Sequence, residues 1–232
     1  MIADPEASLA AYGALRERVT ELLGTMSDDE AAATRVAACP AWTVTDTAAH
    51  LCGVTVDILD GNLDEVATDP WTASQVERLA PLGLAAILER WSETSPVVES
   101  LAAGFPASAA AQMVFDASTH EQDIRGALGR PGGREATSIV VGLGFMESSL
   151  DQFVRAARLP ALGVASPQWT AVMGEGEAQV KVEASTFELF RSFGGRRSES
   201  QIRSLPWTGD PGPYLAIFED SPVRLRGEPL VE

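Results

Sequence analysis

The chain has 232 residues, 45% apolar and 22% charged, ordinary proportions for a globular protein with room for one larger and one smaller domain. Seventeen basic against 33 acidic residues leave a formal net charge of −16, which opposes binding to phosphate backbones and anionic membranes, and no apolar stretch is long enough to span a bilayer. Neither nucleic acid nor membrane is therefore expected as a partner.

Lys181 is the only lysine and alanine is abundant, a composition of GC-rich bacterial genomes. The opening Met1-Ile2-Ala3-Asp4-Pro5-Glu6 has neither the basic segment nor the apolar run of a signal peptide, so a cytoplasmic protein is expected. Cys39 and Cys52 lack the short spacing of zinc or redox motifs and are expected to be free, buried thiols.

Along the chain, Pro5 opens a helix over 5–24 with Leu9, Tyr12, Leu15, Val19 and Leu22 at helical spacing and Gly24 at its end. Cys39-Pro40-Ala41-Trp42 forms a turn. Thr43, with Asp46 three residues on, caps a second helix that carries His50, Leu51, Val54 and Ile58 and stops near Gly61-Asn62. A loop through Asp69-Pro70-Trp71 leads to a third helix over 82–101, closed by Gly104 and Pro106. The fourth helix, from about Ser108 to Leu128, places Met113, Asp116, Ala117, His120, Ile124 and Ala127 on one inward face. Gly129-Arg130-Pro131-Gly132-Gly133 breaks the chain before a fifth helix over 136–159. After it, 169–173 and 178–183 read as two strands of a hairpin around Gly174-Glu175-Gly176-Glu177, and capping boxes at Ser185 and Ser198 predict short helices over 186–193 and 199–205. The fold class read from this order is α+β, predominantly α: a helical bundle over 1–160 and a small α/β domain over 161–232.

The chemistry concentrates at the only two histidines, His50 and His120. Asp116 and His120, four apart on a helix, lie about 40° apart around the axis and about 6 Å apart along it, close enough to hold one ion. A carboxylate and two imidazoles buried without a partner are costly, and a divalent ion is the usual compensation. His50, Asp116 and His120 are thus the expected metal ligands, leaving coordination positions free as catalytic zinc sites do. Zinc heads the list of ions, with nickel, manganese and iron also accepted by such a donor set. Asp46 fits its capping position and stays outside the site; Asp57, on the same face as His50, is a reserve ligand or an acceptor for the imidazole N–H. Asp123 and Arg125 are read either as site residues or as a local salt bridge. Arg191, Arg196, Arg197 and Arg203 either hold an anionic substrate or balance neighbouring acids.

Cys39-Pro40-Ala41-Trp42-Thr43-Val44 through Ala49-His50-Leu51, and His120-Glu121-Gln122-Asp123-Ile124-Arg125-Gly126-Ala127-Leu128-Gly129, resemble the actinobacterial mycothiol-dependent maleylpyruvate isomerase family. The resemblance extends through Gly61-Asn62-Leu63-Asp64, Asp69-Pro70-Trp71-Thr72, Phe187-Glu188-Leu189-Phe190-Arg191, Gly195-Arg196-Arg197-Ser198 and Trp207-Thr208-Gly209-Asp210-Pro211, nearly the whole chain. It implies a DinB-like metal-binding bundle with a small C-terminal α/β domain, and a divalent ion on His50, Asp116 and His120. The family's isomerases carry glutamate where this chain has Asp116. Arg78, in Gln75-Val76-Glu77-Arg78, falls where the family has a functional arginine, and is the expected catalytic residue.

The resemblance also implies mycothiol as cosubstrate or cofactor, bound to the ion through its sulfur and so held as the attacking thiolate. Addition to an activated double bond, rotation and release isomerises cis to trans, whereas addition without release is S-transfer to a small electrophile. Two readings from other classes stay open: a non-catalytic metal or thiol-binding module, and a metal-dependent hydrolase with a metal-bound water. Monomer and homodimer are both compatible with the sequence.

Overall fold

Asp4 accepts the amide of Ala7 at 2.9 Å and Pro5 supplies a preset φ, so the first helix, α1 (Pro5–Leu23), starts where its free N–H groups are satisfied. The computed structural model describes residues 2–101, 104–219 and 223–232. They form two compact units, one built on Asp4–Gly132 and the other on Gly133–Val231. The architecture is α+β and mostly helical, as the periodicities predict.

The first unit is a bundle of α1, the short α2 (Asp28–Ala33), α3 (Val44–Asp60), α4 (Asp69–Leu79), α5 (Leu84–Ser100) and α6 (Ala107–Leu128). Leu9, Tyr12, Leu15, Val19 and Leu22, the stripe of α1, are all buried. Trp91 of α5 is fully buried and donates its indole N–H to the Tyr12 hydroxyl at 2.9 Å, so two large rings enter the core without an unmet polar atom. α1 and α6 are joined by Arg18, whose guanidinium forks onto Glu121 at 3.0 and 2.7 Å; Arg125 adds a third contact to the same buried carboxylate at 3.0 Å. Because Glu121 faces α1, its neighbour His120 is turned toward α3.

α3 begins with the reciprocal capping box of Thr43 and Asp46 and ends at Gly61, whose φ of 70° closes the helix in the left-handed conformation. Asp46 is therefore a capping residue, as its first-turn position predicts. The segment 69–71, read as a loop, instead opens α4: Asp69 and Pro70 occupy its first turn, where proline's missing N–H costs nothing.

The second unit contains α7 (Thr137–Ala156), β1 (Leu162–Ala165), β2 (Thr170–Met173), β3 (Val180–Glu183), α8 (Thr186–Phe193), α9 (Glu199–Arg203), β4 (Trp207–Thr208) and α10 (Gly212–Leu215). The compact-unit boundary lies ahead of α7, whereas the expected domain boundary lies after it, at 160. Among the described residues the sheet has the order β2-β1-β3-β4, with β1 antiparallel to β2 and parallel to β3. This corrects the expected hairpin: β2 and β3 are strands, but β1 lies between them. Gly174 does not serve a tight turn; at φ 94° it passes so close to α7 that a Cβ there would meet Val154 at 2.8 Å. α8 and α9 start at Ser185 and Ser198, whose hydroxyls accept from the amides of Glu188 and Gln201.

Candidate metal centre

α3 carries His50 and α6 carries Asp116 and His120, and the three side chains converge inside the first unit. One atom from each lies within 4.8 Å of the others. Asp116 reaches His50 Nε2 at 3.1 Å and His120 Nε2 at 3.7 Å. Atoms bound at about 2.1 Å to a tetrahedral zinc-sized ion sit roughly 3.4 Å from one another. The two Asp116 distances bracket that value, and two imidazoles with a carboxylate suit such an ion by their chemistry. The two imidazoles meet edge to face, ring centres 5.0 Å apart, and Trp42 packs on both at 5.4 and 5.5 Å. Both histidines are buried and Asp116 is partly exposed.

Behind the donors lies a chain of polar contacts. His50 Nδ1 is 2.7 Å from Gln75 Oε1, Gln75 donates its amide to Asp57 Oδ2 at 2.7 Å, and Asp57 Oδ1 accepts from Arg78 at 2.6 Å and Asn62 at 3.0 Å. The Asp57 carboxylate accepts only, so the amide nitrogen of Gln75 must face it and the amide oxygen must face His50. His50 then carries a proton on Nδ1 and points Nε2 at Asp116. This is the arrangement by which neighbouring groups fix the tautomer and raise the basicity of a metal-binding imidazole. Burial pushes the His50 imidazole down, but the Asp116 carboxylate, aided by Gln75 and Asp57, outweighs it and leaves the pKa above the ordinary histidine value.

On the other histidine, Nδ1 lies 3.1 Å from Asp123 Oδ2, within ion-pair distance though outside hydrogen-bond geometry. Cys39 donates its thiol to the same carboxylate oxygen at 3.5 Å. Asp123 thus stands behind His120 as Gln75 stands behind His50. Cys39, His120 and Asp123 also form a donor cluster of their own, sharing His120 through its other nitrogen.

The structure therefore brings together His50, Asp116 and His120, the residues expected as ligands. It places Arg78 elsewhere: on Asp57, with its side chain 43% exposed, two residues removed from His50. Asp57 is linked to the imidazole by hydrogen bonds through Gln75 and acts on it directly only by its charge. Asp123 faces His120 and Arg125 pairs with Glu121, so the alternative of an Asp123–Arg125 salt bridge is replaced by two separate pairs. Arg197 forks onto Glu188 and Arg203 pairs with Glu199, the balancing of neighbouring acids that the sequence allowed. Spacing alone does not mark Gln75 and Trp42 as site residues. Both lie in segments that carry the family resemblance or adjoin Arg78, the one sequence signal that marks them.

The fold and site define a class: a helical bundle whose core face gathers two histidines and one carboxylate, on a chain that continues into a small α/β unit. The family described as mycothiol maleylpyruvate isomerase N-terminal domain matches residues 12–130, more than half the chain, and the protein belongs to that family. Two solved structures share its fold: mycothiol-dependent maleylpyruvate isomerase, with a TM-score of 0.54, and a histidine-to-alanine mutant of it, with 0.56. Each is 13% identical to this chain, and the match covers 89% of this chain and 93% of the other. No curated protein matches the sequence. No helix among the described residues is long and apolar enough to cross a membrane.

Proposed function

We propose that the protein is a cytoplasmic, metal-dependent enzyme that uses mycothiol in S-transfer to an electrophile or in cis–trans isomerisation of a maleylpyruvate-like substrate. The observation that carries this reading is the convergence of His50, His120 and Asp116, with the Asp116 carboxylate 3.1 and 3.7 Å from the two Nε2 atoms and all three donors within 4.8 Å of one another. An ion on these atoms, zinc first among the candidates, supplies the charge that keeps a thiol deprotonated near neutral pH. Gln75 holds His50 with its lone pair turned to the site, and Arg78 acts on that bond through Asp57, as a positioning residue rather than one that touches substrate. Trp42 shields both imidazoles on one side, which lowers the local polarity and strengthens each charge interaction. Family membership supports mycothiol as the thiol.

The reading is tested by metal analysis of the purified protein and calorimetric titration of mycothiol into wild type and His120→Ala. The expected result is about one ion per chain and thiol binding that disappears in the variant. Metal without mycothiol binding would overturn the thiol reading and leave a hydrolase or a binding module.

A further inference from the structure

His120 turns Nε2 toward Asp116 and His50, and the other nitrogen of its ring faces a second set of donors. His120 and Asp123 are three apart on α6, so they share a face of that helix, and Cys39 reaches them from the turn ahead of α3. That turn is closed by the Trp42 amide on the Cys39 carbonyl at 2.8 Å and by the Cys39 amide on the Val36 carbonyl at 2.9 Å, which fixes where the thiol stands. One atom each from Cys39, His120 and Asp123 lies within 4.8 Å of the others.

His120 Nδ1 is buried without a hydrogen-bond partner, although Asp123 Oδ2 is only 3.1 Å away. The carboxylate oxygen stands off the line of an N–H, as it does when both atoms face a third. The spacings suit an ion in that position. Ligands of a tetrahedral zinc-sized ion sit roughly 3.4 Å apart for nitrogen and oxygen, and roughly 3.6 Å apart for sulfur and oxygen. The corresponding distances are 3.1 Å from Nδ1 to Oδ2 and 3.5 Å from Cys39 Sγ to Oδ2. Charge closes as well: binding a divalent ion releases the thiol proton, and a thiolate and a carboxylate then cancel both positive charges in a buried place.

We infer that Cys39, His120 and Asp123 form a second metal site, selective for thiophilic divalent ions, whose occupancy excludes an ion on His50, Asp116 and His120. Sulfur sets the selectivity, since the first centre offers only nitrogen and oxygen. The exclusion follows from the ring. A neutral imidazole has one lone pair, so an ion on Nδ1 leaves the proton on Nε2 and takes His120 away from the first centre. Cys39 is half-buried, which gives the ion a way in, while His120 and Asp123 are 6% and 2% exposed. A thiophilic ion arriving here switches the first centre off without entering it.

The test titrates cobalt(II), which takes sulfur and nitrogen ligands alike, into metal-free protein and reads the sulfur-to-cobalt charge-transfer band that only a cobalt–thiolate bond gives. His50→Ala removes the first centre and leaves the cluster whole, so the band is expected in that variant. It is expected to disappear when Cys39→Ser is added. Asp116→Ala takes the place of His50→Ala if the latter does not fold. In wild type, total cobalt is expected to stay at about one ion per chain, because the two sites share one lone pair. A band absent from the folded variants, or retained after Cys39→Ser, overturns the site, and two ions on wild type overturn the exclusion. A band in His50→Ala together with no cobalt on Cys39→Ser alone upholds the second site and overturns the first centre instead.

Discussion

Gln75 Oε1 lies 2.7 Å from His50 Nδ1, and this one contact decides what the other side of the imidazole can do. With its amide nitrogen committed to Asp57, Gln75 can only accept, so Nδ1 keeps its proton and Nε2 is turned toward Asp116. A residue outside the donor cluster thereby sets the orientation of His50.

Under the proposed metal reading, Gln75→Leu should consequently lower metal affinity at the His50–Asp116–His120 centre by about 10- to 100-fold, the usual cost of removing a group behind a metal-binding histidine, while His50→Ala abolishes binding there. Competition with a chromophoric chelator measures both. An unchanged affinity in a folded Gln75→Leu protein would show that the contact does not position His50.

The same contact explains why position 53 is glycine. A Cβ there would stand 2.5 Å from Gln75 Cβ and 2.7 Å from its Cγ, so α3 and α4 approach closely only because Gly53 has no side chain. Gly53→Ala should cost about 1–3 kcal/mol by overpacking. It should also weaken metal binding in the same direction as Gln75→Leu, because the glutamine must move. Calorimetric unfolding and the chelator assay read the two effects separately.

What the sequence makes legible follows from periodicity. Asp116 and His120 declare themselves because a four-residue spacing on an apolar stripe survives any detail of packing, and His50 because its helix is capped and amphipathic. Gln75 does not: α4 begins at Asp69-Pro70, a pair that reads as a loop, and the partner of its amide is fixed only when α4 docks on α3. Asp57 lies on the expected face but one link further from the imidazole than spacing suggests, for the same reason. In the second unit, β2 and β3 are visible as strands, yet their pairing depends on β1, a four-residue strand with a glycine at its second position. Hairpin geometry inferred from Gly174 and Gly176 could not foresee a strand inserted between them.

The two cysteines should differ sharply in reactivity. Burial pushes the Cys52 thiol up to about 11, an effect that Arg90 only partly offsets, whereas Cys39 is half-buried and donates to Asp123. At pH 8 the folded protein should therefore alkylate at Cys39 first, with Cys52 modified at a comparable rate only after unfolding. Peptide mass spectrometry over a time course with iodoacetamide checks the order. Equal rates in the native state would mean that α3 opens around Cys52 faster than the reagent acts.

In the second unit, Glu188 and Arg197 form a fork, Oε2 to Nε and Oε1 to NH2, both at 2.9 Å, and Arg197 is buried. The Arg197 guanidinium is the main reason the Glu188 carboxyl stands below the ordinary glutamate range; burial opposes the shift, and Arg134 and Arg191 add to it. A carboxylate with a depressed folded-state pKa stabilises the protein fully above its unfolded value, about 4.3, and loses that contribution as pH falls through the folded value. Glu188→Gln should therefore lower Tm at pH 7, because it leaves the buried Arg197 charge without its carboxylate. The gap to wild type should close on acidification as the wild-type carboxylate takes up its proton. A gap that stays constant from pH 7 to pH 3 would indicate that the substitution acts through packing, and that the ion pair contributes little to stability.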